Sequence, residues 1–538
     1  MDVEADAGEA PAEIGGLFQF LKRNIDIVAL VLVLVLALLI RLRQAGHVLS
    51  FDEAWNAVTV LAGAQGKTKD IFFFNFYRHP PIYLSAAILY RKLFPSSTGF
   101  MQVLSIASGL GVITTLFFMA RKGIGKACAV FAAFFLAVAP VASIFDTWVK
   151  QDSIAILFAT LFACFFLRRK YIVAGVFLGL GLLTKEIVIF VAIGAIIYTA
   201  LTFSKKKLVG LAEALGISIV MSAWWYIAFS NTRGDFLKFF LGTSPVNARF
   251  HEPWHYYLTG MPREITWPAL VFLIVGIVVW AVRRARRGEE KKGAEASGER
   301  APAREKGAED YVLFAMTWAG STLLLLTISV GKPVWMVYSA AVPLALIAGY
   351  GLSSMLSIKS VRKELAYAVI VLVLLGGIAY GVTLKHNNYM AKAGGWEDTL
   401  EDHAIAMKLN SMSRPGDTYV MSMDDLSPVI AYYLKAYEPD SIAHLPLYDA
   451  SGRKLETAAA GREKGKNIYI VERDFPPSLV SSYVERLSPD LLMIKDIPNG
   501  SLSTSLARWF EKEAPYVKVD KGRIWRSEDI SKTVKPQN

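Results

Sequence analysis

Between residues 25 and 385 the chain alternates long apolar runs with short polar ones. The apolar runs cover about 25–46, 100–120, 127–146, 153–167, 171–184, 187–203, 208–229, 266–282, 311–329, 335–356 and 364–385. A helix needs roughly 17–25 largely apolar residues to cross a hydrocarbon core. The pattern therefore predicts a polytopic α-helical membrane protein with about 11 transmembrane helices. One further run, 80–94, is short, opens on Pro80-Pro81 and carries Arg91 and Lys92 near its end. It is expected to lie at the interface rather than cross. Beyond about Lys385 the apolar stretches shrink to strand length: Thr418 to Ser422, Asn467 to Val471, Leu491 to Lys495 and Tyr516 to Val519. Helical patterns at about 425–436 and 478–488 lie between them. This predicts a soluble α/β domain over 386–538, after a transmembrane domain over 1–385.

Charge orients the spans. With the N-terminus cytoplasmic and 80–94 not crossing, Lys22-Arg23, Arg121-Lys122, Arg168-Arg169-Lys170, Lys205-Lys206-Lys207, the arginines from Arg283 to Arg287 and the cluster Lys359 to Lys363 all fall inside. The first external loop then spans about 47–99, and an odd number of spans puts the C-terminal domain outside. Arg41 and Arg43 run against the trend, at the outer end of the first span. Their side chains are expected to snorkel or to meet an anion. The segment 283–310, rich in Glu, Lys, Ala and Gly from Gly288 on, is expected to be a disordered cytoplasmic loop. The expected setting is a plasma membrane crossed many times.

Composition narrows the class. Of 538 residues, 54% are hydrophobic and 19% charged, which lies outside the soluble balance. The net charge of +12 sits mostly in the clusters between apolar runs, so it argues for membrane topology and against nucleic acid. The only cysteines, Cys128 and Cys164, lie in apolar runs and give neither a disulfide framework nor a metal spacing. No small-residue cleavage site follows the first run, so that helix is expected to be retained.

The loops assigned to the outside hold acids and bases together. The first carries Asp52-Glu53 within Phe51-Asp52-Glu53-Ala54-Trp55, and later Arg78-His79-Pro80-Pro81. Others carry Lys150-Gln151-Asp152, Lys185-Glu186, the aromatic stretch Arg249 to Tyr257 with His251 and His255, and Gly331-Lys332-Pro333. Ionisable residues at membrane boundaries are costly, and their recurrence on one face marks a site. Carboxylates can take a proton from a hydroxyl or hold a divalent cation. Lysine, arginine and histidine can steady a phosphate leaving group. A phosphate at the interface with a tail in the bilayer suits both, although composition alone does not single out such a substrate.

The order Phe51-Asp52-Glu53-Ala54, His79-Pro80-Pro81-Ile82-Tyr83, Lys150-Gln151-Asp152 and Leu183-Thr184-Lys185 resembles the membrane glycosyltransferases of the GT-C superfamily. The resemblance is to the protein O-mannosyltransferase and aminoarabinose-transferase group (glycosyltransferase family 39), and it spans most of residues 25–385. It implies a polyprenyl-phosphate-linked sugar as donor, hexosyl or pentosyl transfer, and an acceptor protein, lipid or glycan at the outer face. It implies Asp52 as catalytic base, with Glu53 positioning substrate or stabilising the motif, and Asp152 as a second acid of the site. Arg78, His79, Lys150, Lys185, Lys332 and His255 would contact the donor phosphate or substrate. The family has Arg where this chain has Lys150. These motifs single out no cofactor, and their carboxylates leave open a divalent cation.

Several of these residues also have a structural reading. Asp52-Glu53 and His79-Pro80-Pro81 both suit the start of a helix. Lys150 and Asp152 could form a boundary ion pair, and Lys185-Glu186 a pair within a tight turn. The aromatic context of His255 suits an interfacial belt as well as a sugar platform. Two functional alternatives stand beside transfer: a transport or flippase component, and a non-catalytic assembly partner. Transport would place polar residues near span centres, whereas these acids stand at span ends.

Overall fold

A computed structural model describes residues 24–66, 76, 79–95, 101–229, 253–297, 306–329, 334–358, 363–384, 400, 403, 404, 406 and 407. In the C-terminal region it describes 418–421, 428–433, 442–444, 468–472, 491–495, 516–519 and 522–526. The helices run α1 Ile25–Gln44, α2 Phe51–Ala64, α3 Pro81–Leu93, α4 Met101–Gly123, α5 Lys126–Val138, α6 Pro140–Phe145, α7 Asp152–Leu167 and α8 Tyr171–Leu182. They continue as α9 Ile189–Leu201, α10 Lys205–Ala228, α11 Tyr256–Ile265, α12 Trp267–Ser297, α13 Lys306–Ile328, α14 Tyr338–Leu356, α15 Lys363–Thr383 and α16 Pro428–Tyr433. Among the described residues six helical stretches are long and apolar enough to cross a membrane: α1, α4, α10, Trp267–Arg286 within α12, Gly307–Ile328 within α13, and Trp335–Leu356. Other apolar runs form helices of 10–17 residues, including α5, α7 and α8.

Two expectations are corrected. The run 127–146 is not one helix, because α5 ends at Val138 and α6 begins at Pro140. Proline has no N–H to give to the turn before it, and its ring clashes with the carbonyl four residues back. Ala139 takes φ −64° and ψ 123°, and the chain restarts with Pro140 in the first helical position. The described parts of the segment 283–310 are helical rather than disordered. Helix α12 continues to Ser297 and α13 already begins at Lys306. Its Glu, Lys and Ala residues, which suggested disorder, are equally strong helix formers.

Chain contacts define two compact units that do not coincide with the expected cut at 385. The first comprises Met1–His47, Tyr77–Ser85 and Ser97–Ala393; the second comprises Val48–Phe76, Ala86–Ser96 and Gly394–Asn538. The segment bearing Asp52 thus groups with the C-terminal region rather than with the helical bundle. The first unit is a bundle in which α14 packs against α5 and α12, and α8 against α7 and α10. Glycines permit this closeness: a methyl on Gly349 would come within 2.6 Å of the Ala132 backbone nitrogen, and one on Gly351 within 2.1 Å of the Phe272 carbonyl. Small residues at such crossings let helix backbones approach where no hydrophobic driving force exists between lipid and helix. At the start of α1, Asp26 accepts a hydrogen bond from Arg121 at the end of α4, with Lys126 Nζ 3.2 Å from its other oxygen. Helices α1 and α4 are therefore antiparallel.

The second unit contains α2, α16 and a six-stranded sheet. Its strands are β1 Thr418–Met421, β2 Ile442–His444, β3 Ile468–Glu472, β4 Leu491–Lys495, β5 Tyr516–Val519 and β6 Gly522–Arg526. Their order is β2-β1-β3-β4-β6-β5; the first four are parallel, and β6 pairs antiparallel with both β4 and β5. Four strands fall where the short apolar stretches predicted them. Strands β2 and β6 lay outside that reading, because His444 and the Arg523/Arg526 pair break their apolar character.

Candidate active site

Three of the sequence motifs converge at one end of the bundle. Lys150-Gln151-Asp152 lies in the turn between α6 and α7, and Asp152 is the first residue of α7, where an acid favours the helix N-terminus. Lys185 stands in the break between α8 and α9, just ahead of a short 3₁₀ turn at Glu186–Val188. The Lys185 ammonium donates to both oxygens of Asp152, at 2.7 and 2.8 Å. The acid is buried and the lysine side chain keeps 15% of its exposure. Beyond the neighbouring pairs weighed from sequence, Lys150 with Asp152 and Lys185 with Glu186, the structure thus joins Lys185 to Asp152 across 33 residues of chain. The third motif joins through the backbone: Ile82 N–H donates to the Leu183 carbonyl at 3.1 Å. That bond seats His79-Pro80-Pro81, with Pro80 buried and His79 half-buried, beside Leu183-Thr184-Lys185.

Lys150 turns to aromatics. Its Nζ lies 4.5 Å from the Trp148 ring centre and 4.8 Å from that of Trp335. Ring faces attract a cation, more strongly when water is excluded, and Lys150 is only 6% exposed. Trp335 follows the Gly331-Lys332-Pro333 motif, so the clamp ties that loop's far end to the Lys150 turn. Ser105 of α4 fastens the turn from below, with its hydroxyl donating to the Trp148 carbonyl at 2.5 Å and lying 3.3 Å from the Lys150 carbonyl.

Beneath the turn lies a charged network that the sequence only hinted at. Arg41, fully buried, donates from Nε and Nη2 to one Asp146 oxygen at 2.8 and 2.6 Å. Its Nη1 reaches the carbonyls of Ala37 and Ala137 at 3.1 and 3.2 Å. Tyr338 Oη donates to the other Asp146 oxygen at 2.5 Å. The anion expected for Arg41 is thus a carboxylate of the protein itself. Asp146 went unremarked in sequence because it is a lone acid in an apolar run; the signal was Arg41, a cation against the charge trend. Gly109 of α4 makes room for it, since a methyl there would stand 2.0 Å from Asp146 Oδ2 and 2.2 Å from its Cγ. Gly109→Ala should therefore lower stability by about 1–3 kcal/mol, the usual cost of overpacking, read as a lower Tm of the detergent-solubilised protein.

The acidic motif belongs to the second unit. Ser50 precedes α2, and its N–H and hydroxyl both donate to Glu53 Oε2, at 2.9 and 2.8 Å. This is a capping box, so of the two roles expected for Glu53, buried here, the geometry supports stabilising the motif. Asp52, in the same first turn, is exposed, while Phe51 and Trp55 meet edge to face at 5.4 Å. His255 is exposed at the start of α11, its ring 5.5 Å from Trp254, and is not brought to the lysine pair by any described contact. Arg78, His251 and Lys332 lie outside the described residues. Among the described residues no group of three or more His, Cys, Asp or Glu converges as a metal site would require.

The interhelical turns of the bundle thus gather an HPP turn, two lysines and a buried acid at one end. Residues 78–226 match the family model described as dolichyl-phosphate-mannose-protein mannosyltransferase. That stretch holds all three converging motifs, and Asp52 lies ahead of it. No curated protein sequence matches the chain. Among solved structures, ArnT from Cupriavidus metallidurans in the apo state matches with a TM-score of 0.59 and 14% identity, over 95% of this chain and 99% of that one. The same protein bound to undecaprenyl phosphate matches with a TM-score of 0.57 at equal identity and coverage. Oligosaccharyltransferase AglB from Archaeoglobus fulgidus, in complex with an inhibitory peptide and a dolichol-phosphate, gives a TM-score of 0.49 at 14% identity, over 88% and 70%. The resemblance to GT-C glycosyltransferases of the ArnT and O-mannosyltransferase type is borne out.

Proposed function

We propose that the protein transfers a sugar from a polyprenyl-phosphate-linked donor to an acceptor at the outer face of the membrane. The observation that carries this reading is the convergence of His79-Pro80, Lys150 and the Lys185–Asp152 pair within one stretch matched by the mannosyltransferase family model. A related fold, ArnT, is known bound to undecaprenyl phosphate, which supports a lipid phosphate as the donor's handle.

The chemistry follows from the residue types. An acceptor hydroxyl attacks the anomeric carbon as the bond from that carbon to the phosphate oxygen breaks. The hydroxyl proton passes to Asp52, and the electron pair of the broken bond leaves on the polyprenyl phosphate. Lys185 and Lys150, with Arg78, His79 and Lys332, steady the phosphate charge. Asp152 fixes the Lys185 ammonium, and in this reading His255 contacts the substrate. The orientation in this reading keeps the N-terminus cytoplasmic, 80–94 on the outside, and the 386–538 region external. The acceptor is a protein, lipid or glycan, and the sugar a hexose or pentose.

Removing Lys185 tests the phosphate assignment. In Lys185→Met the KM for farnesyl-phosphate mannose should rise roughly ten- to a hundredfold, as expected when a charge-assisted hydrogen bond is lost. The single change strands buried Asp152, so the double variant Asp152→Asn/Lys185→Met serves as control. It should recover stability and leave the KM raised. A KM at the wild-type value in both variants contradicts the assignment.

A further inference from the structure

The second unit holds the acidic motif by a contact that the proposed reaction does not use. Leu49, two residues after His47, which ends the first segment of the first unit, is 5% exposed. Its backbone N–H donates to the hydroxyl of Tyr433 at 2.9 Å. Tyr433 closes α16, which packs on α2. The Tyr433 ring is in turn held edge to face by the His403 ring, at 4.5 Å between centres and 82° between planes. Val429, one turn earlier on α16, and Ala406, three residues after His403, are fully buried. Burial pushes the Tyr433 phenol up to about 12, so it is neutral at any working pH.

The position of this contact matters. Leu49 immediately precedes Ser50, whose own N–H and hydroxyl are taken by Glu53. Two consecutive backbone donors ahead of α2 therefore have assigned partners, the first from the C-terminal region and the second from the helix itself. The Ser50 N–H is among the donors that a helix start leaves open, and the Leu49 N–H, one residue ahead of it in buried surroundings, would be costly to leave without an acceptor. Asp52 is in the first turn, where any looseness of the helix start is passed directly to its carboxylate. A proton acceptor displaced by an ångström loses much of its effect.

We infer that Tyr433 is a positioning residue for Asp52: through the Leu49 amide, the C-terminal region sets the geometry of the acidic motif. This rests on the assignment of Asp52 above. It gives the C-terminal region a part in turnover without requiring it to touch the donor. Tyr433→Phe is the informative change, because phenylalanine keeps the ring against His403 and removes the hydroxyl that accepts from the Leu49 amide.

The test uses full-length protein in proteoliposomes with farnesyl-phosphate mannose. Tyr433→Phe should lower kcat about tenfold, the scale of one lost hydrogen bond to a buried amide, with the donor KM unchanged. Hydrogen exchange of the amides from Leu49 to Trp55 should quicken about tenfold, while that of α4 and α14 stays as in wild type. An ester in place of the Leu49 amide removes the same hydrogen bond from the other side. Its effect should equal that of Tyr433→Phe, and the two combined should do no more than either alone. Additive losses, or quickened exchange with unchanged kcat, would overturn the inference. An Asp52→Asn variant that retains transfer would instead sink the assignment on which it rests, whatever Tyr433→Phe does.

Discussion

Asp52→Asn is expected to abolish most transfer, with kcat falling roughly a hundred- to ten-thousandfold, the range that a positioned general base contributes. Asparagine keeps the size of the side chain and its ability to accept a hydrogen bond near the helix start, but it cannot take the acceptor's proton. The capping box runs between Ser50 and Glu53, so folding should survive. Donor KM should hold, because the phosphate contacts are assigned to Lys150 and Lys185. The check is transfer from a polyprenyl-phosphate sugar alongside a thermal melt. A Glu53→Gln variant offers the contrast: glutamine still accepts from Ser50, so kcat should change by less than about tenfold if that residue only caps the helix.

The second large effect concerns the buried network. Arg41→Met removes the guanidinium from a carboxylate with no exposure and leaves Asp146 with the Tyr338 hydroxyl among the remaining described partners. Breaking one side of a buried ion pair costs about 3–5 kcal/mol, since a charge is left without compensation in a low-dielectric interior. The Tm of the solubilised protein should drop accordingly. Arg41→Met combined with Asp146→Leu should restore much of that stability, because apolar replacements of a buried pair are often neutral. Transfer should stay impaired in the double variant. Asp146 ends the short helix that leads into the Lys150 turn, and without the network that turn loses its floor.

The sequence made the bundle legible because lipid imposes length and polarity on every span. It failed where local chemistry overrides the run. Pro140 split an apolar stretch that hydropathy alone reads as continuous. The charged tail of α12 was misread because the composition of disorder and that of a solvated helix overlap. The motifs at 79–81, 150–152 and 183–185 were visible as residues, but their pairing was not. Lys185 was as close to Glu186 in sequence as to anything, and only the bundle shows Asp152 as its partner. Asp146, Tyr338 and Trp335 escaped because each is a single polar or aromatic residue whose meaning depends on a helix far away in the chain. Arg41 alone signalled them, through a charge on the wrong side of a topology rule.

Direct binding of undecaprenyl phosphate to the full-length protein, followed by native mass spectrometry over a lipid titration, tests the central claim that the converged motifs hold a lipid phosphate. Wild type should bind one equivalent saturably, Asp52→Asn should bind as tightly, and Asp152→Asn/Lys185→Met should bind roughly ten- to a hundredfold more weakly. Saturable binding of equal strength in all three proteins, or none in wild type, would contradict it.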